Sequence, residues 1–169
     1  MNRVLVVCYS YTGTARRAAQ LLCSHYGWPL GEVRDAAPRG TLRCVLDSLL
    51  RRRPAIRYEG PDPRDFDTVV LVAPIWMYRL AAPMRTFVAH RRNQLPRVAV
   101  IATMNAGGAI NAYAEVAHLL GHAPVASAAF LQREIEDGSA TTRLLGFGDA
   151  LDAGAAAEPV VQSAQAAPA

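Results

Sequence analysis

The strongest constraint on this chain is a repeated alternation of short, near-continuous apolar runs with stretches of helical period. Residues 3–9 (RVLVVCY), Thr68–Ala73, Arg97–Thr103 and Pro124–Leu131 each place apolar side chains on both faces of an extended segment. Strands of that kind belong inside a parallel sheet that is covered on both sides. A weaker strand is expected near Leu30–Val33. Between these runs the apolar residues recur at helical spacing, as Ala18, Leu21, Leu22 and His25, then as Leu42, Val45, Leu46, Leu49 and Leu50 ahead of Arg53-Pro54. Met84, Phe87 and Val88 follow Pro83, which suits a first helical turn; further helices run through Tyr113, Val116 and Leu120 and over Thr141–Leu151. The segment Arg57–Asp67, rich in Pro, Asp and Gly, reads as loop. The pattern predicts an α/β domain over residues 1–152: a five-stranded parallel sheet with helices on both faces. Residues 153–169, mostly Ala, Pro, Gln and Ser, read as a disordered tail.

Composition removes several functions. All 18 basic residues are arginine, so neither a Schiff-base lysine nor a lysine-bearing phosphate loop exists. The net charge of +4 permits an anionic ligand without requiring nucleic acid, and no nucleic-acid partner is expected. Arg51-Arg52-Arg53 and Arg91-Arg92 read as solvated helix ends. The three cysteines, Cys8, Cys23 and Cys44, lack metal-ligand spacing and read as reduced, mostly buried thiols. His118 and His122 lie one helical turn apart without an evident third ligand. No apolar run is long enough for a bilayer span, and the N-terminal run is too short for a signal core. The expectation is a cytoplasmic protein with no membrane partner.

Ligands of open α/β sheets bind beyond the carboxyl ends of the strands, so the loops there carry the argument. After the first strand comes Ser10-Tyr11-Thr12-Gly13-Thr14-Ala15, which offers hydroxyls and a helix N-terminus. This reads either as a plain helix cap or as a phosphate cradle. Arg16 and Arg17 occupy the first helical turn, where a cation is unfavourable unless an anion sits nearby. The Gly-x-Gly-x-x-Gly dinucleotide pattern is absent, and no carboxylate ends the first or third strand. After the third strand comes Pro74-Ile75-Trp76-Met77-Tyr78, whose aromatics suit either stacking on a flat ring or packing on a neighbour. After the fourth comes Met104-Asn105-Ala106-Gly107-Gly108, where paired glycines permit close backbone approach or simply make a turn. Taken together, the three describe a site for a phosphorylated flat ring.

With these residues in view, the chain resembles the flavodoxin-like family from Val4 to about Leu151. Ser10-Tyr11-Thr12-Gly13-Thr14-Ala15 looks like that family's Ser/Thr-x-Thr-Gly-x-Thr loop in all but the last position. Ala73-Pro74-Ile75-Trp76, followed by Pro83 and Phe87, looks like its Ser-Pro-x-Trp…Pro-x-x-x-Phe pattern. The resemblance implies FMN as cofactor, with its phosphate at Ser10–Ala15. The ring would lie between Trp76 or Tyr78 and the loop Met104–Gly108. It implies electron transfer with a redox partner protein or a small-molecule acceptor, and no side chain acting as acid, base or nucleophile. Two further functions share the same loops: an NAD(P)H-dependent FMN oxidoreductase reducing a quinone or similar acceptor, and an FMN-free domain using Trp76 and Tyr78 for protein contacts. Ala15 removes one hydroxyl from the loop. Met77 stands where the family often has a glycine after the stacking aromatic, which bears on semiquinone stabilisation.

Overall fold

A computed structural model describes residues 2–36, 40 and 53–154. In chain order the elements are β1 (Val4–Cys8), α1 (Thr14–Tyr26), β2 (Leu30–Asp35), β3 (Ile56–Glu59), a short 3-10 turn (Pro63–Asp65) and β4 (Thr68–Trp76). Then follow β5 (Arg79–Leu80), α2 (Ala82–Arg91), β6 (Arg97–Met104), α3 (Ala109–Leu120), β7 (Ala126–Leu131), α4 (Gln132–Glu136) and α5 (Thr141–Asp152). The helix expected over Leu42–Leu50, Cys44 and the tail beyond Gly154 lie outside the described residues.

Five strands are parallel, in the spatial order β2-β1-β4-β6-β7. Counted by appearance among the parallel strands, that is the doubly wound order 2-1-3-4-5. The expected five-stranded parallel sheet is therefore present, with two antiparallel additions: β3 along β2, and β5 along the end of β4. The register of β1 on β4 runs from Val4 opposite Thr68 to Cys8 opposite Val72.

Side chains of a strand alternate between the two faces, and the core divides accordingly. Val4, Val6, Cys8, Val70, Val72, Ala99 and Ile101 face α1, α4 and α5, where Leu22, Ile135 and Leu144 meet them. Leu5, Val7, Tyr9, Val69, Leu71, Val98 and Val100 face α2 and α3, meeting Met84, Phe87 and Val116. Both faces of β1 and β4 are buried because a helix layer lies on each, which is why their sequences are apolar throughout.

Three readings of the sequence need correction. Arg57–Asp67 is not loop throughout, since Ile56–Glu59 forms the edge strand β3. Only its alternate residues Ile56 and Tyr58 pack inward, and four residues carry too short an alternation to stand out beside Pro and Gly. Arg34 bridges this edge, 2.6 Å from Glu32 and 3.6 Å from Glu59. The third parallel strand does not stop at Ala73; it continues to Trp76 because β5 folds back and pairs with it. Residues 132–136 form the short helix α4, which had no separate apolar stripe to announce it.

Candidate functional site

The strand order reverses between β1 and β4, so a crevice opens beyond Cys8 and Val72. The first of the loops there turns sharply into α1. Gly13 has φ +102°, a backbone conformation that a Cβ disfavours, and its N–H donates to the Ser10 hydroxyl at 3.0 Å. No side chain caps the N-terminus of α1, so its first-turn N–H groups stay available. Ser10 is half-buried, whereas Tyr11, Thr12 and Gly13 are exposed. The loop thus presents backbone donors and the Thr12 hydroxyl at one end of a helix dipole.

Three hydroxyl- or charge-bearing residues of the first α1 turn are engaged elsewhere. Thr14 is buried, and its hydroxyl donates to Glu136 of α4 at 3.2 Å. Arg16 pairs with Glu32 at 3.2 Å, and Arg17 donates to the Glu136 carbonyl at 3.4 Å. The charge of Arg16 is therefore offset by this chain's own Glu32, while Arg17 is held by a backbone carbonyl. Ala15 is buried against the sheet and adds no polar contact at the site.

The second loop is a tight hairpin. Ile75 pairs with Leu80 and Trp76 with Arg79, leaving Met77 and Tyr78 as a two-residue turn. Both have positive φ, 48° and 61°, the sign pattern of the type I′ turn that matches strand twist. Neither is glycine, so each carries a left-handed penalty of about 1–2 kcal/mol. Backbone strain of this kind clusters at functional sites. Met77 and Tyr78 are also the most exposed side chains here, at 54% and 64%.

The three loops touch. Trp76 lies between Tyr9 and Tyr11, with ring centroids 5.8 and 5.7 Å away and both contacts close to perpendicular. The indole of the second loop thereby leans on the first. The third loop leaves β6 at Met104, exposes Asn105 and Ala106, and enters α3 through half-buried Gly107 and Gly108. Gly108 has φ +102°, and a Cβ there would fall 2.7 Å from the Tyr78 Cα and 3.2 Å from the Ile75 side chain. The third loop is thus seated directly against the hairpin. α3, like α1, has no side-chain cap at its N-terminus.

Several participants carried no sequence signal. Tyr9 is buried at the end of β1 and donates from its hydroxyl to Asp35 at 3.0 Å. Glu136 reaches the first loop from 122 residues away. Such partners meet only through the sheet. Cys8 lies directly before the first loop, but burial pushes its thiol up to about 12, which keeps it protonated and unreactive at neutral pH. Among the described residues no group of three His, Cys, Asp or Glu could hold a metal ion, and no helix is long and apolar enough to cross a membrane.

Solved structures share this fold. A flavoprotein from Lactobacillus acidophilus, crystallised in complex with FMN, superposes with a TM-score of 0.66 at 18% identity, covering 82% of this chain and 99% of its own. The doubly wound order and this match decide the architecture. The fold is flavodoxin-like. The apo-form of the Lactobacillus acidophilus flavoprotein gives a TM-score of 0.60 at 19% identity over 78% of this chain and 92% of that one. A WrbA-like flavodoxin from Agrobacterium tumefaciens gives 0.57 at 12% identity over 90% and 97%. No protein-family model and no curated protein sequence matches the chain. In this fold Ser10–Ala15, Pro74–Tyr78 and Met104–Gly108 are the loops that follow the carboxyl ends of β1, β4 and β6.

Proposed function

We propose that this flavodoxin-like protein binds FMN in that crevice and serves in electron transfer. The observation that carries the proposal is the meeting of an uncapped helix N-terminus with an aromatic hairpin and a glycine turn at the sheet's switch point. The cradle has room: a Cβ built on Gly13 would meet nothing within 4 Å. The solved relative that holds FMN supports the same cofactor.

The N–H groups of the first α1 turn and the hydroxyls of Ser10 and Thr12 would hold the phosphate. Thr14 would contribute its backbone only, since Glu136 holds its hydroxyl. Trp76 is fixed by Tyr9 and Tyr11 and would present a firm apolar wall to the ring. Exposed Tyr78 would close over the ring from the turn of the hairpin. FMN itself supplies one- and two-electron chemistry, so the protein needs no acid, base or nucleophile. The acceptor is a redox partner protein or a small molecule.

The test is the visible spectrum of the purified protein after incubation with FMN and desalting. Near-stoichiometric flavin absorbance is expected, and the double variant Ser10→Ala, Thr12→Val should lose at least tenfold in affinity. A colourless wild-type protein would leave the aromatic hairpin as a protein-contact surface and remove the proposal.

A further inference from the structure

The short helix α4 brings a carboxylate to the first loop. Glu136 is its last residue and is exposed, while the helix packs on α1. Glu136 Oε1 accepts from the Thr14 hydroxyl at 3.2 Å and from Gln132 Nε2 at 2.8 Å. Its backbone carbonyl accepts from Arg17 Nη1 at 3.4 Å. One residue therefore holds, by side chain and by backbone, two positions of the first α1 turn. Gln132, at the start of α4, holds the carboxylate in turn.

Thr14 is the first residue of α1 and directly follows Gly13, so its N–H belongs to the donors assigned above to the phosphate. The positive end of a helix favours an anion, and α1 has no acidic residue in its own first turn. Glu136 supplies that anion from another element. The cations of the turn do not outweigh it: Arg16 is paired with Glu32 at 3.2 Å, and Arg17 sets one unit charge against the one on Glu136. A phosphate monoester brings a charge of about −1.5 to −2 at pH 7. Held on the Thr14 N–H, it would share a residue with the carboxylate, so the two like charges fall inside one Debye length, about 10 Å at 0.1 M salt.

We infer that Glu136 sets the charge selectivity of the phosphate cradle. It is a standing carboxylate that lowers the affinity for a dianionic phosphate ester and leaves that for an uncharged flavin unchanged. This role presupposes FMN in the crevice and adds the residue that weighs the charge of its phosphate. Glu136 touches neither ring nor phosphate in this role; it acts through its field and through its hold on Thr14.

Flavin fluorescence titrations of the wild type, Glu136→Gln and Glu136→Ala test it, with FMN and with riboflavin, the same ring and chain without the phosphate. Glu136→Gln keeps an acceptor for Thr14 and removes the charge. It should bind FMN about fivefold more tightly than the wild type at about 10 mM salt. Riboflavin affinity should change by less than about twofold, since no unit charge is at stake. The FMN gain should vanish at about 1 M salt, where the screening length is about 3 Å. Glu136→Ala should show the same gain, because the charge and not the Thr14 bond is responsible, and it is read alone if Glu136→Gln fails to fold. Should riboflavin bind too weakly to measure, the salt dependence of the FMN gain decides. FMN affinity unchanged or weakened in these variants at low salt, a gain shared equally by riboflavin, or a gain indifferent to salt overturns the role of Glu136 and leaves the FMN site standing. If neither the wild type nor the variants bind FMN, the FMN site falls and the role of Glu136 with it.

Discussion

Gly13 and Gly108 allow a backbone effect to be separated from a packing effect. Both have φ +102°, and both stand immediately before a helix that lacks a side-chain cap. Replacing either with alanine imposes the same left-handed penalty, about 1–2 kcal/mol. Each replacement also stiffens the unfolded chain, which offsets about 0.4–1 kcal/mol of that loss in both variants equally. The surroundings differ. Around Gly13 an added Cβ meets nothing within 4 Å, whereas at Gly108 it lands 2.7 Å from the Tyr78 Cα and 3.2 Å from Tyr78 Cδ1 and Ile75 Cγ2. The nearest atom is backbone, in a turn whose two residues are already at positive φ, so the hairpin must move. Overpacking of this sort adds about 1–3 kcal/mol. Gly108→Ala should therefore lose more stability than Gly13→Ala by about that margin. Urea unfolding followed by far-ultraviolet circular dichroism measures both, with equal m-values required for the comparison. Losses equal to within about 0.5 kcal/mol would refute the claim that the third loop is seated against the hairpin, since 1–3 kcal/mol is what that contact should add.

Three further outcomes are expected. Burial raises the Cys8 thiol from its ordinary value of 9.0 to about 12, so its contribution to stability is complete below about 9 and is lost as the pH rises towards 12. Urea midpoints between pH 8 and 11 should fall less steeply in Cys8→Ala than in the wild type, and alkylation of native Cys8 at pH 7 should be slow. Glu115→Ala leaves Arg79 and Arg85 without their shared carboxylate, and because Glu115 keeps some solvent contact the loss should lie near the lower end of about 3–5 kcal/mol, read by chemical denaturation. Tyr26→Phe removes a hydroxyl lying 2.6 Å from the Leu145 carbonyl and 2.8 Å from Asp149, which ties α1 to α5; a loss of about 1 kcal/mol is expected in thermal unfolding.

Both the architecture and the position of the three loops beyond the strand ends could be read from the chain because their physics is local. A strand buried on both faces must be apolar throughout, and Val4–Cys8 and Thr68–Ala73 are. Helix spacing and the Gly13 turn likewise depend on neighbours in sequence. The same reasoning failed at β3, where four residues at a sheet edge alternate too briefly, and at Trp76–Leu80, where strand pairing rather than composition decides the conformation. Met77 and Tyr78 adopt positive φ against their own preference because β4 and β5 must close within two residues.

The sequence by itself therefore determined the parallel α/β layering, the apolar strands and the identity of the loops beyond them, since periodicity and turn chemistry act over a few residues. Tertiary structure alone decided which of those loops touch and which charges meet. Trp76 reaches Tyr11 across 65 positions, Thr14 meets Glu136, and Arg79, Arg85 and Glu115 converge from a hairpin and two helices. Contacts of that kind arise from the strand order that brings distant segments together, and no local pattern of residues encodes them.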